Sequence, residues 1–147
     1  MDRTWRDGRV IEDRKVGFFD GACPGNQLEQ KGRMRVAFVI GQRSIVRDLP
    51  DLADPNGPLR TNNIAEYQGL IALLEHMHQL DKEGGAPGKY LVCGDSELVI
   101  RQMLGMYRVR QPHLVPLHNR ARRLADALDV EFRHVRRESN RAGFLLE

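Results

Sequence analysis

Residues 16–22 read Val-Gly-Phe-Phe-Asp-Gly-Ala, an apolar run that carries Asp20 near its end and is followed by Cys23-Pro24-Gly25. A run this short, bounded by Gly and Pro, predicts a buried central strand rather than a helix. The segment after it, residues 23–32, is polar and reads as a turn region. Met34–Ile40 and Ser44–Leu49 then flank Gly41–Arg43, the pattern of a β-hairpin with a short loop. Residues 50–60 hold three prolines and a glycine and read as loop.

Helical spacing begins after that loop. Ile64, Tyr67, Leu70, Ile71, Leu74 and Met77 recur along one face, with Asn62 or Asn63 placed to cap and residues 84–88 to terminate. Tyr90–Cys93 reads as a short strand. Ser96 is placed to cap a helix that Gly105 ends, and Pro112 stands near the start of another helix reaching about Leu128. Val130–Val135 reads as a last strand, and residues 1–13 as an irregular leader. The order β-β-β-α-β-α-α-β predicts an α/β fold, a mixed sheet with helices packed on it, in a single domain over residues 1–147.

Composition sets the outer bounds. The chain has 147 residues, 41% hydrophobic and 29% charged, enough to bury a core and ordinary for a globular domain. No segment approaches the roughly 20 apolar residues of a membrane span, and the N-terminus lacks the apolar stretch of a signal peptide. A cytoplasmic protein with no membrane association and no obligate protein partner is expected. Cys23 and Cys93 lack zinc-site spacing and read as free thiols of a reducing compartment. Each lies within three residues of an aspartate, Asp20 or Asp95, so the two thiols are expected to be near neighbours. Net charge is +3, unevenly spread: residues 101–125 hold six arginines (Arg101, Arg108, Arg110, Arg120, Arg122, Arg123) and no acid. Two readings stand for that stretch, a phosphate-binding surface and a solvated helix face.

Asp20 closes the first strand and Asp95 follows the fourth. If those strands are parallel neighbours, about 4.8 Å apart, both carboxylates emerge at one rim, where ligands of open α/β sheets gather. Glu66, placed in the first turn of the long helix, can face the same rim. Three clustered carboxylates repel unless a hard, oxygen-preferring cation neutralises them. Mg2+ or Mn2+ suits the set, and zinc does not. Two such ions would stabilise both oxygens of a phosphodiester hydrolysis. The plainer alternatives are an aspartate that forms a turn and a glutamate that only offsets the helix dipole.

Four segments resemble type 1 ribonuclease H, in particular its compact archaeal-like branch. They are Phe19-Asp20-Gly21-Ala22 with Asn26; Thr61-Asn62-Asn63-Ile64-Ala65-Glu66-Tyr67; Gly94-Asp95-Ser96 followed by Leu98-Val99-Ile100, Gln102 and Gly105; and residues 134–140, His-Val-Arg-Arg-Glu-Ser-Asn. They occur in family order and cover residues 15–147. The resemblance implies a ribonuclease H-like fold with a five-stranded mixed sheet. It implies endonucleolytic cleavage of the RNA strand of an RNA/DNA hybrid, leaving 5′-phosphate and 3′-hydroxyl ends. By the same resemblance Asp20, Glu66 and Asp95 are metal ligands, Asn26, Asn62 and Asn63 contact the minor groove, and Thr61 contacts a phosphate. An amide suits a 2′-hydroxyl because it both donates and accepts. The basic stretch falls in the substrate-binding region, with Arg108 and Arg110 as phosphate contacts and Tyr107 as a flat surface for the DNA strand. Arg137 resembles an arginine that archaeal-like members place near the active site.

One departure stands out. The family carries a fourth acid in an Asn-x-x-Ala-Asp sequence, and here Phe144 occupies that place four residues after Asn140. The final helix is accordingly expected to be missing or shortened. Three outcomes follow: Glu147 or Asn140 supplies the missing oxygen, the three acids suffice at a reduced rate, or the chain is an inactive module that binds RNA/DNA hybrid or double-stranded RNA.

Overall fold

The computed structural model describes residues 3–6, 9–23, 34–50 and 61–147. In chain order the strands are β1 (Arg3–Arg6), β2 (Arg9–Glu12), β3 (Lys15–Ala22), β4 (Met34–Ile40), β5 (Arg43–Leu49), β6 (Lys89–Gly94) and β7 (Asp129–His134). The helices are α1 (Asn62–Gly84), α2 (Glu97–Met103) and α3 (Val115–Asp126). Five strands form one sheet of order β5-β4-β3-β6-β7, antiparallel on the β4–β5 side and parallel on the β6–β7 side. This is the mixed sheet expected from the sequence, with β3 at its centre.

The leader is the first correction. Arg3–Arg6 and Arg9–Glu12 are not irregular: as β1 and β2 they pair antiparallel, with Arg6 opposite Arg9. Thr4, Trp5, Val10 and Ile11 favour strand, and Asp7-Gly8 is a dipeptide suited to a two-residue hairpin. The mixed charge of the segment hides that signal.

All three helices share one core on one face of the sheet. Phe19, Phe38, Tyr90 and Val92 from the strands meet Leu70, Leu74 and Met77 of α1, Val99 and Ile100 of α2, and Leu117 and Ala121 of α3. Helix α1 can cross β3 closely because the crossing points lack side chains. An ideal Cβ on Gly21 would lie 2.0 Å from the Ala65 carbonyl oxygen, and one on Gly69 would lie 2.4 Å from the Asp20 carbonyl oxygen. Tyr67 ties the helices together from inside the core. Its hydroxyl donates to Gln102 Oε1 at 2.6 Å, and His118 Nδ1 stands 3.3 Å from the same hydroxyl oxygen. Burial lowers the His118 pKa, which favours the neutral ring in that place.

Among the described residues the other face is covered more thinly. Ala142, Leu145 and Leu146 of the C-terminal tail pack on Phe18, Ala37 and Val39. The final helix is reduced to a 3₁₀ turn, Gly143–Leu146. Both cysteines are buried, but they are not neighbours. Cys93 pairs with Phe18 across the β3–β6 ladder, and five residues at about 3.3 Å each put Cys23 roughly 16 Å farther along. Among the described residues, no helix is long and apolar enough to cross a membrane.

Candidate metal centre

Strand pairing brings the acids together. Because β3 and β6 run parallel with Phe18 opposite Cys93, Asp20 on β3 and Asp95 just beyond β6 emerge at the same end of the sheet. Glu66 arrives from α1 across the Gly21 crossing. One carboxylate oxygen from each of Asp20, Glu66 and Asp95 lies within 4.8 Å of the others. Among the described residues this is the group of acids able to share an ion.

Glu66 owes its place to the interior and not to the helix dipole. Thr61 is the N-cap, its Oγ1 accepting from the Ile64 N–H at 3.2 Å, so Glu66 lies one or two residues further in than expected and the first turn holds no acid. The dipole has faded there. Burial, then the charge of Asp20, pushes Glu66 up to about 10. Burial and the nearby Asp95 also raise Asp20, while its hydrogen bond with Glu66, the Gly21 N–H at 2.9 Å and the Arg137 guanidinium act the other way. Glu66 Oε2 is buried without a hydrogen-bond partner. A buried, unsatisfied carboxylate oxygen facing two aspartates fits a hard divalent cation, which would take over the charge that the pocket cannot solvate.

Neither candidate for a fourth ligand turns an oxygen to the three acids. Glu147 is exposed and stands outside the converging group. Asn140 does reach the site, but with its nitrogen: Nδ2 donates to Asp95 Oδ2 at 2.9 Å, and Oδ1 accepts from the Ala142 N–H at 3.1 Å. Its oxygen is therefore already engaged away from the acids. Phe144 is 55% exposed, left in solvent between Gly143 and the packed Leu145. His134 Nε2 lies 3.2 Å from the Asp95 carbonyl oxygen, an approach that braces the backbone beside the site.

The expected substrate contacts divide. Asn62 is exposed, and its Oδ1 accepts from the Cys23 N–H at 3.0 Å, pinning the start of α1 to the end of β3. Its amide nitrogen is left to donate outward. Asn63 is half-buried beside it, and Thr61 spends its oxygen on the helix cap. Asn26 lies outside the described residues. Of the six arginines in the basic stretch, three are neutralised by acids that lie outside it: Arg101 by Glu97, Arg120 by Glu75 and Arg122 by Asp126. Arg108 and Arg110 are exposed and make no ion pair among the described residues. Tyr107 is 42% exposed, with the Arg101 guanidinium 5.5 Å from its ring centre. The sequence reading missed the glycine crossing, which the pattern Gly21 with Gly69 signals only once α1 is known to cross β3, and it expected an oxygen from Asn140 where the structure presents a buried nitrogen.

Comparison with known proteins agrees with this geometry. Residues 19–146 match the family described as reverse transcriptase-like. Ribonuclease HI of Halobacterium salinarum is 33% identical over 92% of this chain and 60% of that protein. The crystal structure of RNase H1 from that archaeon superposes with a TM-score of 0.72 at 30% identity, covering 90% of this chain and 94% of that one. LC11-RNase H1, solved in complex with an RNA/DNA hybrid, gives a TM-score of 0.71 at 27% identity, covering 90% and 93%. A bifunctional protein of Mycobacterium tuberculosis is 40% identical over 78 residues, 53% of this chain but 19% of that protein. The match thus spans about a fifth of the length of the mycobacterial relative. With its family match, its strand order and its converging acids, the chain belongs to the type 1 ribonuclease H family.

Proposed function

We propose that the chain is a metal-dependent endonuclease that hydrolyses the RNA strand of RNA/DNA hybrids, leaving 5′-phosphate and 3′-hydroxyl ends. The observation that carries this reading is the convergence of Asp20, Glu66 and Asp95 around the unpartnered Glu66 oxygen. These three side chains would hold Mg2+ or Mn2+, in a pair, and the ions would supply charge stabilisation for the attacking and leaving oxygens. Asn62 and Asn63, at the start of α1, offer amides to the 2′-hydroxyls that distinguish RNA from DNA. Arg108 and Arg110 are free to bind phosphates, and Arg137, whose charge acts on Asp20, would steady the scissile phosphate. The hybrid bound in the LC11-RNase H1 complex supports this substrate class. A reducing cytoplasm, in which thiols such as Cys23 and Cys93 stay reduced, fits the reading.

The test is incubation of end-labelled hybrid with Mg2+ or Mn2+, beside an Asp95→Asn control. Cleavage of the RNA strand by the wild type is expected. The loss in the control should exceed the roughly 10–100-fold that changes outside the ligand set cost. Binding without cleavage in either metal would replace this reading by that of a hybrid-binding module.

A further inference from the structure

The rim has a gap in its backbone support. The β3–β6 ladder ends at Phe18 and Cys93, so no strand hydrogen bond sets the distance between Asp20 and Asp95 beyond it. On its outer side Asp95 is held by its backbone alone: the Val135 N–H donates to the Gly94 carbonyl at 2.9 Å, and His134 touches the Asp95 carbonyl. Neither interaction orients the carboxylate.

Asn140 fills the gap. It is fully buried at 0% exposed, 45 residues from Asp95 in sequence and 121 from Phe19. Its Nδ2 donates to the Phe19 carbonyl oxygen and to Asp95 Oδ2, both at 2.9 Å. The two protons of one amide thus join the backbone of β3 to the side chain beyond β6. Only one orientation of the amide satisfies the neighbours, because the other end faces an N–H, that of Ala142 at 3.1 Å. The residue is held in turn by the tail: its own N–H donates to the Arg137 carbonyl at 3.1 Å and its carbonyl accepts from the Gly143 N–H at 3.0 Å.

We propose that Asn140 is a positioning residue of the metal centre, a neutral clamp that fixes the Asp95 carboxylate against β3 so that three acids bind the cation where the family uses four. The chemistry suits the task. A lysine in this place would fix Asp95 but cancel its charge; an amide orients the carboxylate and leaves its charge for the cation. Hydrogen bonds of this outer kind commonly govern metal affinity without touching the metal.

The inference rests on the metal reading above, and its test separates the two. Mn2+ alone is titrated into substrate-free protein by calorimetry, for the wild type, Asn140→Ala, Asp95→Asn and the double variant. Wild-type binding that Asp95→Asn weakens is the signature of the metal reading, and its absence would sink that reading first. Given that signature, Asn140→Ala should weaken Mn2+ roughly 10–100-fold. In the Asp95→Asn background it should add almost nothing, because it acts through that side chain. Equal Mn2+ affinity for wild type and Asn140→Ala, or a loss of the same size in both backgrounds, would overturn the clamp and leave Asn140 as a fastener of the tail. Should Asn140→Ala fail to fold, Asn140→Ser keeps a single donor and is judged by the same two comparisons.

Discussion

On one face of the sheet, α1 lays 23 residues across β3, its backbone pressed against the strand at Gly21 and Gly69, with Tyr67 locking it to α2 and α3. On the opposite face, among the described residues, Ala142, Leu145 and Leu146 of the tail cover Phe18, Ala37 and Val39. The metal centre sits on the seam between them. Glu66 comes from the thick side and Asn140 from the thin side, and Asp20 and Asp95 stand between. The difference separates two kinds of failure. Damage on the helix side costs the fold and the site together, whereas damage on the tail side costs the aim of Asp95 with most of the core intact.

The largest effect should come from forcing α1 off β3. In Gly21→Val the new side chain meets the Ala65 backbone, which has no room to yield. A loss at or above about 3 kcal/mol is expected, the upper end of overpacking. A urea midpoint close to that of wild type would mean that the two backbones are less tightly pressed than the structure has them.

Next in size is a pH effect that belongs to the helix side through Glu66. Its folded-state pKa, about 10, stands above the ordinary 4.5, so between those values the metal-free fold holds a proton that the unfolded chain releases. The contribution to stability is complete below about pH 4.5 and is lost as pH rises toward 10. Asp20 is shifted in the same direction. The melting midpoint of metal-free protein should therefore fall as pH rises from about 5 to 9. Mn2+ affinity should climb over the same range by up to about tenfold per pH unit, since each ion displaces a proton. A flat affinity profile would show that Glu66 is already ionised without metal.

Smaller, and confined to binding, is the contrast within the basic stretch. Replacing Arg108 and Arg110 by alanine should reduce the salt-dependence slope of hybrid binding by about one for each phosphate left without its arginine. Replacing Arg120 and Arg122, which face Glu75 and Asp126, should leave the slope near its wild-type value. Equal slopes for the two pairs would erase the distinction. The smallest effect is expected on the tail side at Phe144→Asp. The side chain there stands in solvent, so Mg2+-dependent turnover should change by less than about threefold, under ~0.7 kcal/mol of barrier. A larger gain would show that the tail can turn the new acid inward.

Much of this was legible in advance because it depends on local pattern. The run at residues 16–22 declares a buried strand, and the spacing of Ile64, Tyr67, Leu70 and Leu74 declares a helix. The parallel crossover then brings Asp20 and Asp95 to one rim, as the structure confirms. The errors share a different origin. Thr61 and not Asn62 or Asn63 caps α1, since three adjacent polar residues compete and only the chain path selects among them. The basic stretch looked uniform because its neutralising acids lie outside it, Glu97 and Asp126 near its two ends and Glu75 45 residues before Arg120.

The sequence by itself determined the element order from β3 onward, the three acids and the family, since strand and helix periodicity and short motifs are properties of neighbouring residues. Tertiary structure alone decided how the site closes. That Glu66 Oε2 is buried and unsatisfied, that Arg120 is spent on Glu75, and that Asn140 points its nitrogen at Asp95 all depend on atoms brought together from remote parts of the chain. Burial and hydrogen-bond geometry are properties of those encounters, and no local pattern encodes them.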